Sequence, residues 1–286
     1  MKNYIKLLRV RHYIKNLLVL AALICSGQMV HLSKLLSGLI GFVAFCAISS
    51  SVYIINDIRD REKDRLHPAK CCRPIASGAI SVNHAWSLAV LMISMASSCN
   101  IAVFRLSSTS LLVLYLMMNL AYSFGLKNVP LADISILAAG FLIRVLYGAC
   151  ITDITVSSWL YLTILSLAFY CALGKRRNEL RQIKNDSTRN VLKYYTVNFL
   201  DKNMYMCLGL ANAFYALWCM DEKTKLHYHN DYLLFTVPLV LLITMKYSLN
   251  VEEKSEGDPV EVLLNDKTLV VMCILQFSFM LLSLYF

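Results

Sequence analysis

Charge is scarce in this sequence. Of its 286 residues only 16% are Asp, Glu, Lys or Arg, against 58% that are hydrophobic, and the mean hydropathy is +0.56. A soluble domain carries about 25% charged residues, so an ordinary soluble fold is excluded. A nucleic-acid-binding face goes with it, because no soluble domain remains to display one. Zinc and haem motifs are missing too. The ten cysteines lie mostly singly in apolar runs, where a thiol acts as a small hydrophobe, and neither C-x-x-C nor H-E-x-x-H occurs. Only Cys71 and Cys72 stand together in a polar loop. Acids are the rarer sign of charge, 18 against 28 Lys and Arg, so a place where they gather is informative.

Long apolar runs are what the chain has instead. They recur at roughly 16–30, 34–55, 84–104, 108–124, 131–151, 156–174, 203–220, 231–249 and 267–286, and most are long enough for a hydrocarbon core of about 30 Å. Backbone amides in lipid must be paired within their own segment, so these runs predict helices. The expected fold is all-α: a polytopic membrane protein of about nine transmembrane helices. The basic, apolar start of the chain is read as the first of these spans and not as a cleaved secretory signal. Cations concentrate in three places: Lys2 to Lys15, Arg59 to Arg73 and Lys175 to Lys193. Nine spans put all three on one side, which should be cytoplasmic, with the C-terminus outside.

One stretch, "YIINDIRDREKDRLHPAKCCRPIASG" from Tyr53 to Gly78, joins the end of an apolar run to a row of oxygen ligands and then a series of cations. On a continuing helix Asn56, Asp60 and Asp64 fall at i, i+4 and i+8, with Asp57 beside Asn56. Like charges four residues apart repel on a helix, so the row needs a compensating cation. Carboxylate and amide oxygens suit Mg²⁺, whose shell is completed by water and a substrate's phosphate oxygens. Surface ion pairs with Arg59, Arg61, Lys63 and Arg65 would be the plainer explanation. The cations and prolines that follow at once (His67-Pro68, Lys70, Arg73-Pro74) favour the metal site.

"NDIRDREKD" (Asn56 to Asp64) resembles the first aspartate-rich motif of the UbiA superfamily of intramembrane prenyltransferases, and "YSFGLKNVPLAD" (Tyr122 to Asp133) is similar to its Tyr and Lys segment. "RVRHYIKN", "DRLHPAKCCRPIASG", "FLIRVLYGA" and "GKRRNEL" together resemble the decaprenyl-phosphate phosphoribosyltransferase branch of that superfamily. The resemblance runs from about residue 9 to the last helix. It implies one UbiA-like domain over 1–286, with a central cavity open to lipid and cytoplasmic loops at about 56–83 and 175–200 capping the active site. It also implies a bacterial inner-membrane enzyme whose site faces the cytoplasm and which supplies lipid-linked pentose for the cell envelope.

Ordinary prenyltransferases of this superfamily carry a second aspartate-rich motif after helix six. Here that place reads "GKRRNELRQIKND". Such a basic cluster repels Mg²⁺ and attracts a phosphate, with bidentate contacts available to Arg. Phosphoribosyl diphosphate has a diphosphate for the metal and a separate 5-phosphate for cations, and so fits both halves. The expected reaction is transfer of 5-phosphoribose to a polyprenyl phosphate. Asn56, Asp57, Asp60 and Asp64 would hold Mg²⁺ on the diphosphate, with Arg65, Lys70 and Arg73 around it. Lys175, Arg176 and Arg177, with Glu179 close by, would take the 5-phosphate. Tyr122 and Lys127 would contact sugar or diphosphate. Arg144, inside an apolar span, predicts a cavity-facing cation with Asp133 or the acceptor phosphate as partner. Arg11, Lys15 and Asn16 are placed to meet the lipid phosphate at the membrane surface. His67 is read as shaping the turn before Pro68, His227 and His229 as lying on the outer side without a role, and residues 250–266 as a solvated connector.

Two other functions fit parts of the pattern. An aromatic or quinone-precursor prenyltransferase would share the fold, but the basic segment in place of a second acidic motif argues against it. A transporter or flippase of a phosphorylated lipid would favour inverted internal repeats, which the sequence does not show. The partners expected are phosphoribosyl diphosphate, a polyprenyl phosphate and membrane lipid, and the reading allows a homo-oligomer.

Overall fold

The computed structural model describes residues 2–66, 70–103, 105–181, 190–222, 224–225, 232–252 and 258–285. His67, Pro68, His227 and His229 lie outside the described residues. Among those described there is helix and connecting turn, and no strand. The described residues give eleven α-helices that can be bounded, in chain order: α1 (Lys2–Leu8), α2 (Ala21–Cys25), α3 (Leu32–Leu66), α4 (Val82–Ala102), α5 (Leu106–Phe124), α6 (Ala132–Thr152), α7 (Ser158–Arg181), α8 (Val197–Met220), α9 (Val237–Glu252), α10 (Pro259–Leu264) and α11 (Lys267–Tyr285).

Seven helical stretches among the described residues are long and apolar enough to cross a membrane. The other two expected runs take different forms. The run at 16–30 is split between a 3₁₀ helix, Val10–Leu20, and the short α2. That segment carries buried polar Asn16, which bonds to neighbouring side chains and so ties down a stretch that hydropathy alone reads as a plain span. The run at 203–220 is the later part of α8, a 24-residue helix whose first turns carry Asp201, Lys202 and Asn203.

The chain divides into two compact units. The first comprises Met1–Leu23, Gln28–Leu126 and Ile143–Thr155. Its axis is α3, a 35-residue helix, about 50 Å long at 1.5 Å per residue. That length exceeds a hydrocarbon core of about 30 Å, so the helix ends in a polar extension carrying the acidic row. Against α3 pack α4, α5 and the 3₁₀ segment. The buried core is built from Val19, Phe45, Ile48, Tyr115, Ile143 and Tyr147. Phe45 stands between two tyrosine rings, 4.7 Å from Tyr115 and 5.5 Å from Tyr147, both tilted. Gly148 permits a close approach here, since a Cβ at that position would lie 1.7 Å from the Val19 carbonyl oxygen.

The second unit comprises Ile24–Gly27, Lys127–Leu142 and Val156–Phe286. Its centre is the pair α7 and α8, with a core of Ile134, Tyr170, Leu173, Val191, Leu200 and Met204. Trp218, Cys219, Leu233 and Leu284 form a smaller cluster. Many large apolar side chains on these helices are exposed, among them Phe235, Met245, Ile274 and Leu282. A helix that is apolar on its outer face as well as its inner one is what a lipid environment selects.

Candidate active site

The acidic row lies on α3 as its spacing predicts, but the structure singles out a different pair. Asp57 and Asp64, two turns apart, are 3% and 5% exposed, while Asp60 is half-buried. Arg73 joins the pair through one nitrogen: its Nη1 donates to Asp57 Oδ1 at 3.1 Å and to Asp64 Oδ2 at 2.7 Å. Arg9 Nη2 donates to the same Asp57 oxygen at 2.7 Å, with its guanidinium 4.7 Å from the centre of the Tyr53 ring. Asn56 is turned to α5, where its Oδ1 accepts from Ser123 Oγ at 3.0 Å.

Arg73 is presented by a loop that the apolar core fixes. Ile75 and Ile80 are buried with Leu7, Ile54, Ala85 and Ala89. The Ile80 amide donates to the Pro74 carbonyl, and Lys6 Nζ donates to the Cys72 carbonyl at 2.8 Å. Arg65, expected to surround a diphosphate, instead ties this loop to α3: its Nε donates to the Ala76 carbonyl and its Nη1 pairs with Glu62. Lys70 is half-buried in the same loop, and Tyr122 is half-buried on α5 beside Ser123. Lys127 is half-buried in the second unit.

The donor set suits a hard cation held only partly by protein. Its atoms are oxygens of carboxylates and an amide, which favour Mg²⁺ over softer metals. Among the described residues no three His, Cys, Asp or Glu side chains converge closely enough to hold a metal ion by themselves.

Deeper in the same unit lies a second polar group. Arg144 is buried, with Nε donating to Asn16 Oδ1 at 2.8 Å and Nη2 to the Tyr115 hydroxyl at 3.1 Å. Its guanidinium also faces the rings of Phe45 and Tyr115, at 5.0 and 5.1 Å. Asn16 Nδ2 donates onward to Ser49 Oγ at 3.0 Å. This corrects the expectation for Asn16, which is 1% exposed and belongs to an interior network, not to a surface contact with lipid phosphate. Its neighbours Arg11 and Lys15 are exposed and half-buried.

In the second unit the expected phosphate-binding cations are engaged by carboxylates. Arg176 is wholly buried and pairs with Asp133 at 2.5 Å and Glu179 at 2.6 Å. Arg177 pairs with Asp201, and Asn178 donates to the Val251 carbonyl at 2.9 Å. Asp133, expected as a partner for Arg144, has its other oxygen on the Tyr195 hydroxyl at 2.6 Å. That hydroxyl accepts in turn from the Leu131 amide at 2.7 Å, where the backbone is left-handed at φ 62°. Lys175 is half-buried.

Burial, then the bond to Asp133, pushes the Tyr195 phenol up to about 12 from its ordinary 10.0. The fold thus favours the protonated phenol. Its contribution is complete below about pH 10 and is lost as pH rises through about 12. The thermal midpoint of the purified protein in detergent is expected to hold from pH 7 to about 10 and to fall beyond it, and Tyr195→Phe should diminish that fall. An equal fall in the variant would mean that other groups cause it.

The sequence model of the UbiA prenyltransferase family matches residues 17–264. The decaprenyl-phosphate phosphoribosyltransferase of Corynebacterium glutamicum is 32% identical over 280 residues, covering 94% of this chain and 83% of that protein. The protein of the same name from Mycolicibacterium smegmatis is 33% identical over 291 residues, with 94% and 88% covered. A solved UbiA homolog from Archaeoglobus fulgidus, bound to GPP and Mg²⁺, has the same fold at a TM-score of 0.73 and 16% identity, over 99% of this chain and 100% of that one. A UbiA homolog from Aeropyrum pernix gives 0.66 at 15% identity, over 93% and 98%.

Proposed function

The chain belongs to the UbiA prenyltransferase family, and from that membership we propose that it transfers 5-phosphoribose from phosphoribosyl diphosphate to a polyprenyl phosphate, with diphosphate leaving. The observation that carries this reading is the similarity, at about a third of residues over 94% of the chain, to two proteins named for that activity. The residues agree with it: a single acidic row in α3, and arginines where a second acidic row would otherwise follow.

In this reading Asn56, Asp57, Asp60 and Asp64 hold Mg²⁺, which when bound offsets charge on the departing diphosphate. Arg73 and Arg9, already beside the carboxylates, add fixed positive charge where the leaving group gathers negative charge. An oxygen of the acceptor phosphate attacks ribose C1 as the bond from C1 to the diphosphate oxygen breaks. The phosphate is already an anion, so no protein nucleophile and no strong base is needed, and the protein's part is positioning. Tyr122 and Lys70 are candidate contacts for donor oxygens. Of the basic group ending α7 we keep Lys175 as the candidate 5-phosphate contact, because it is half-buried whereas Arg176 and Arg177 are buried.

We also read the segmented run at 16–30 and the less apolar α8 as crossing the membrane, which restores nine spans. The three basic segments then lie on the cytoplasmic side of a bacterial inner membrane, with the product serving envelope glycan synthesis. The test is transfer of labelled phosphoribose to a polyprenyl phosphate by the purified protein, with and without Mg²⁺. A metal-dependent labelled lipid is expected. Turnover of a prenyl diphosphate with an aromatic acceptor, and none of phosphoribosyl diphosphate, would replace the reading with an ordinary prenyltransferase.

A further inference from the structure

We propose that Arg73 and Arg9 are exchangeable counter-ions of the α3 carboxylates, so that the site admits its divalent cation together with a diphosphate and not ahead of it. The inference rests on the transfer reading only for the identity of the diphosphate.

The geometry at Asp57 and Asp64 carries it. One nitrogen, Arg73 Nη1, is within hydrogen-bond distance of both carboxylates, so it occupies the place from which a cation would bind both. The Arg9 guanidinium takes up the same Asp57 oxygen. Two buried carboxylates against two guanidinium groups make a neutral cluster. A divalent ion added on top of it would leave two excess positive charges beside the hydrocarbon. Expelling the arginines with nothing to receive them would strand two donors that now lie close to these carboxylates. Both routes are costly because the groups are partly or wholly desolvated.

A diphosphate removes the conflict. It brings negative charge and several acceptor oxygens, to which a guanidinium binds in the same bidentate manner as to a carboxylate. The arginines then pass from carboxylate to phosphate while the cation takes their place, and every charge keeps a partner throughout. Their placement suits such a transfer. The carboxylates sit on the long helix α3, whereas Arg73 lies in a loop whose buried anchors, Ile75 and Ile80, come after it. Arg9 occupies the joint between α1 and the 3₁₀ helix, at a left-handed φ of 53°. Both arginine side chains are about a quarter exposed, at 22% and 26%, while those of Asp57 and Asp64 are 4% and 7% exposed.

The test is binding of Mn²⁺ to the full chain in detergent, read by electron paramagnetic resonance, with no turnover. Wild type should take up Mn²⁺ weakly alone and at least about tenfold more tightly when methylene diphosphonate is present, after correction for the chelate in solution. Arg73→Gln should bind Mn²⁺ alone about tenfold more tightly than wild type and show less gain from the diphosphonate. Adding Asp57→Asn to that variant should remove the binding. If Arg73→Gln does not fold, the wild-type comparison and Arg9→Gln, with a smaller gain in the same direction, decide the matter. Equal Mn²⁺ affinity with and without the diphosphonate in wild type overturns the proposal, as does an Arg73→Gln protein that is folded and gains nothing. The Mn²⁺ pattern without any phosphoribosyl transfer would uphold the exchange and reject only the donor.

Discussion

Asp57→Asn is expected to reduce phosphoribosyl transfer by about 10²- to 10³-fold, the range found when one preorganised electrostatic group is removed from a transition-state site. Two roles fail together in this variant. The neutral amide is a poor ligand for a divalent cation, and it no longer carries the charge that holds Arg9 and Arg73. Asp64→Asn should be less severe, because among the described residues Asp64 pairs with Arg73 whereas Asp57 pairs with both arginines. The stability cost is separate and smaller. Hydrogen bonds to charged groups are each worth about 1.5–3 kcal/mol, and the amide keeps an oxygen that accepts one of them. The measurement is single-turnover transfer at saturating donor beside a thermal scan of the same preparation. Transfer within a few-fold of wild type from folded Asp57→Asn would take the carboxylate out of the chemistry and leave it as a loop anchor.

The importance of α3 was visible in the sequence because two independent signals met there. An apolar run predicted a span, and a row of acids at helical spacing predicted a site on its polar extension. Which of the acids are buried was not visible. Spacing groups Asn56, Asp60 and Asp64, yet burial is decided by what packs on the helix, and it is Asp57 and Asp64 that are buried and bonded to Arg73 of the following loop. Arg9 had no signal of its own either. It is one of five cations near the start of the chain, and only the turn after α1 brings it to a residue 48 positions away. The broken helical form of the first expected span was hidden for a related reason. Hydropathy averages over Asn16 and cannot register that its amide meets Arg144, 128 residues on.

The same limit governs Arg176, whose neighbours in the sequence are basic and whose neighbours in space are acidic. Arg176→Ala is expected to cost about 3–5 kcal/mol, the penalty for breaking a buried ion pair from one side, out of a total stability of about 5–15 kcal/mol. Asp133 is the residue it strands: the carboxylate is 0% exposed, and the Tyr195 hydroxyl, 2.6 Å away, still donates to it. Glu179, 24% exposed, can be rehydrated and should contribute less. A loss of activity in Arg176→Ala would therefore report an unfolded second unit before it reported a missing phosphate ligand. Two further variants separate these meanings. Arg176→Met with Asp133→Asn removes both charges together, and should recover much of the stability lost by Arg176→Met alone, since replacing a whole buried pair is often nearly neutral. Lys175→Ala should keep the thermal midpoint closer to wild type and raise the KM for the donor. If Arg176→Ala instead melts like wild type and raises that KM, the guanidinium leaves Asp133 for the substrate, and the basic segment binds phosphate through Arg176 after all.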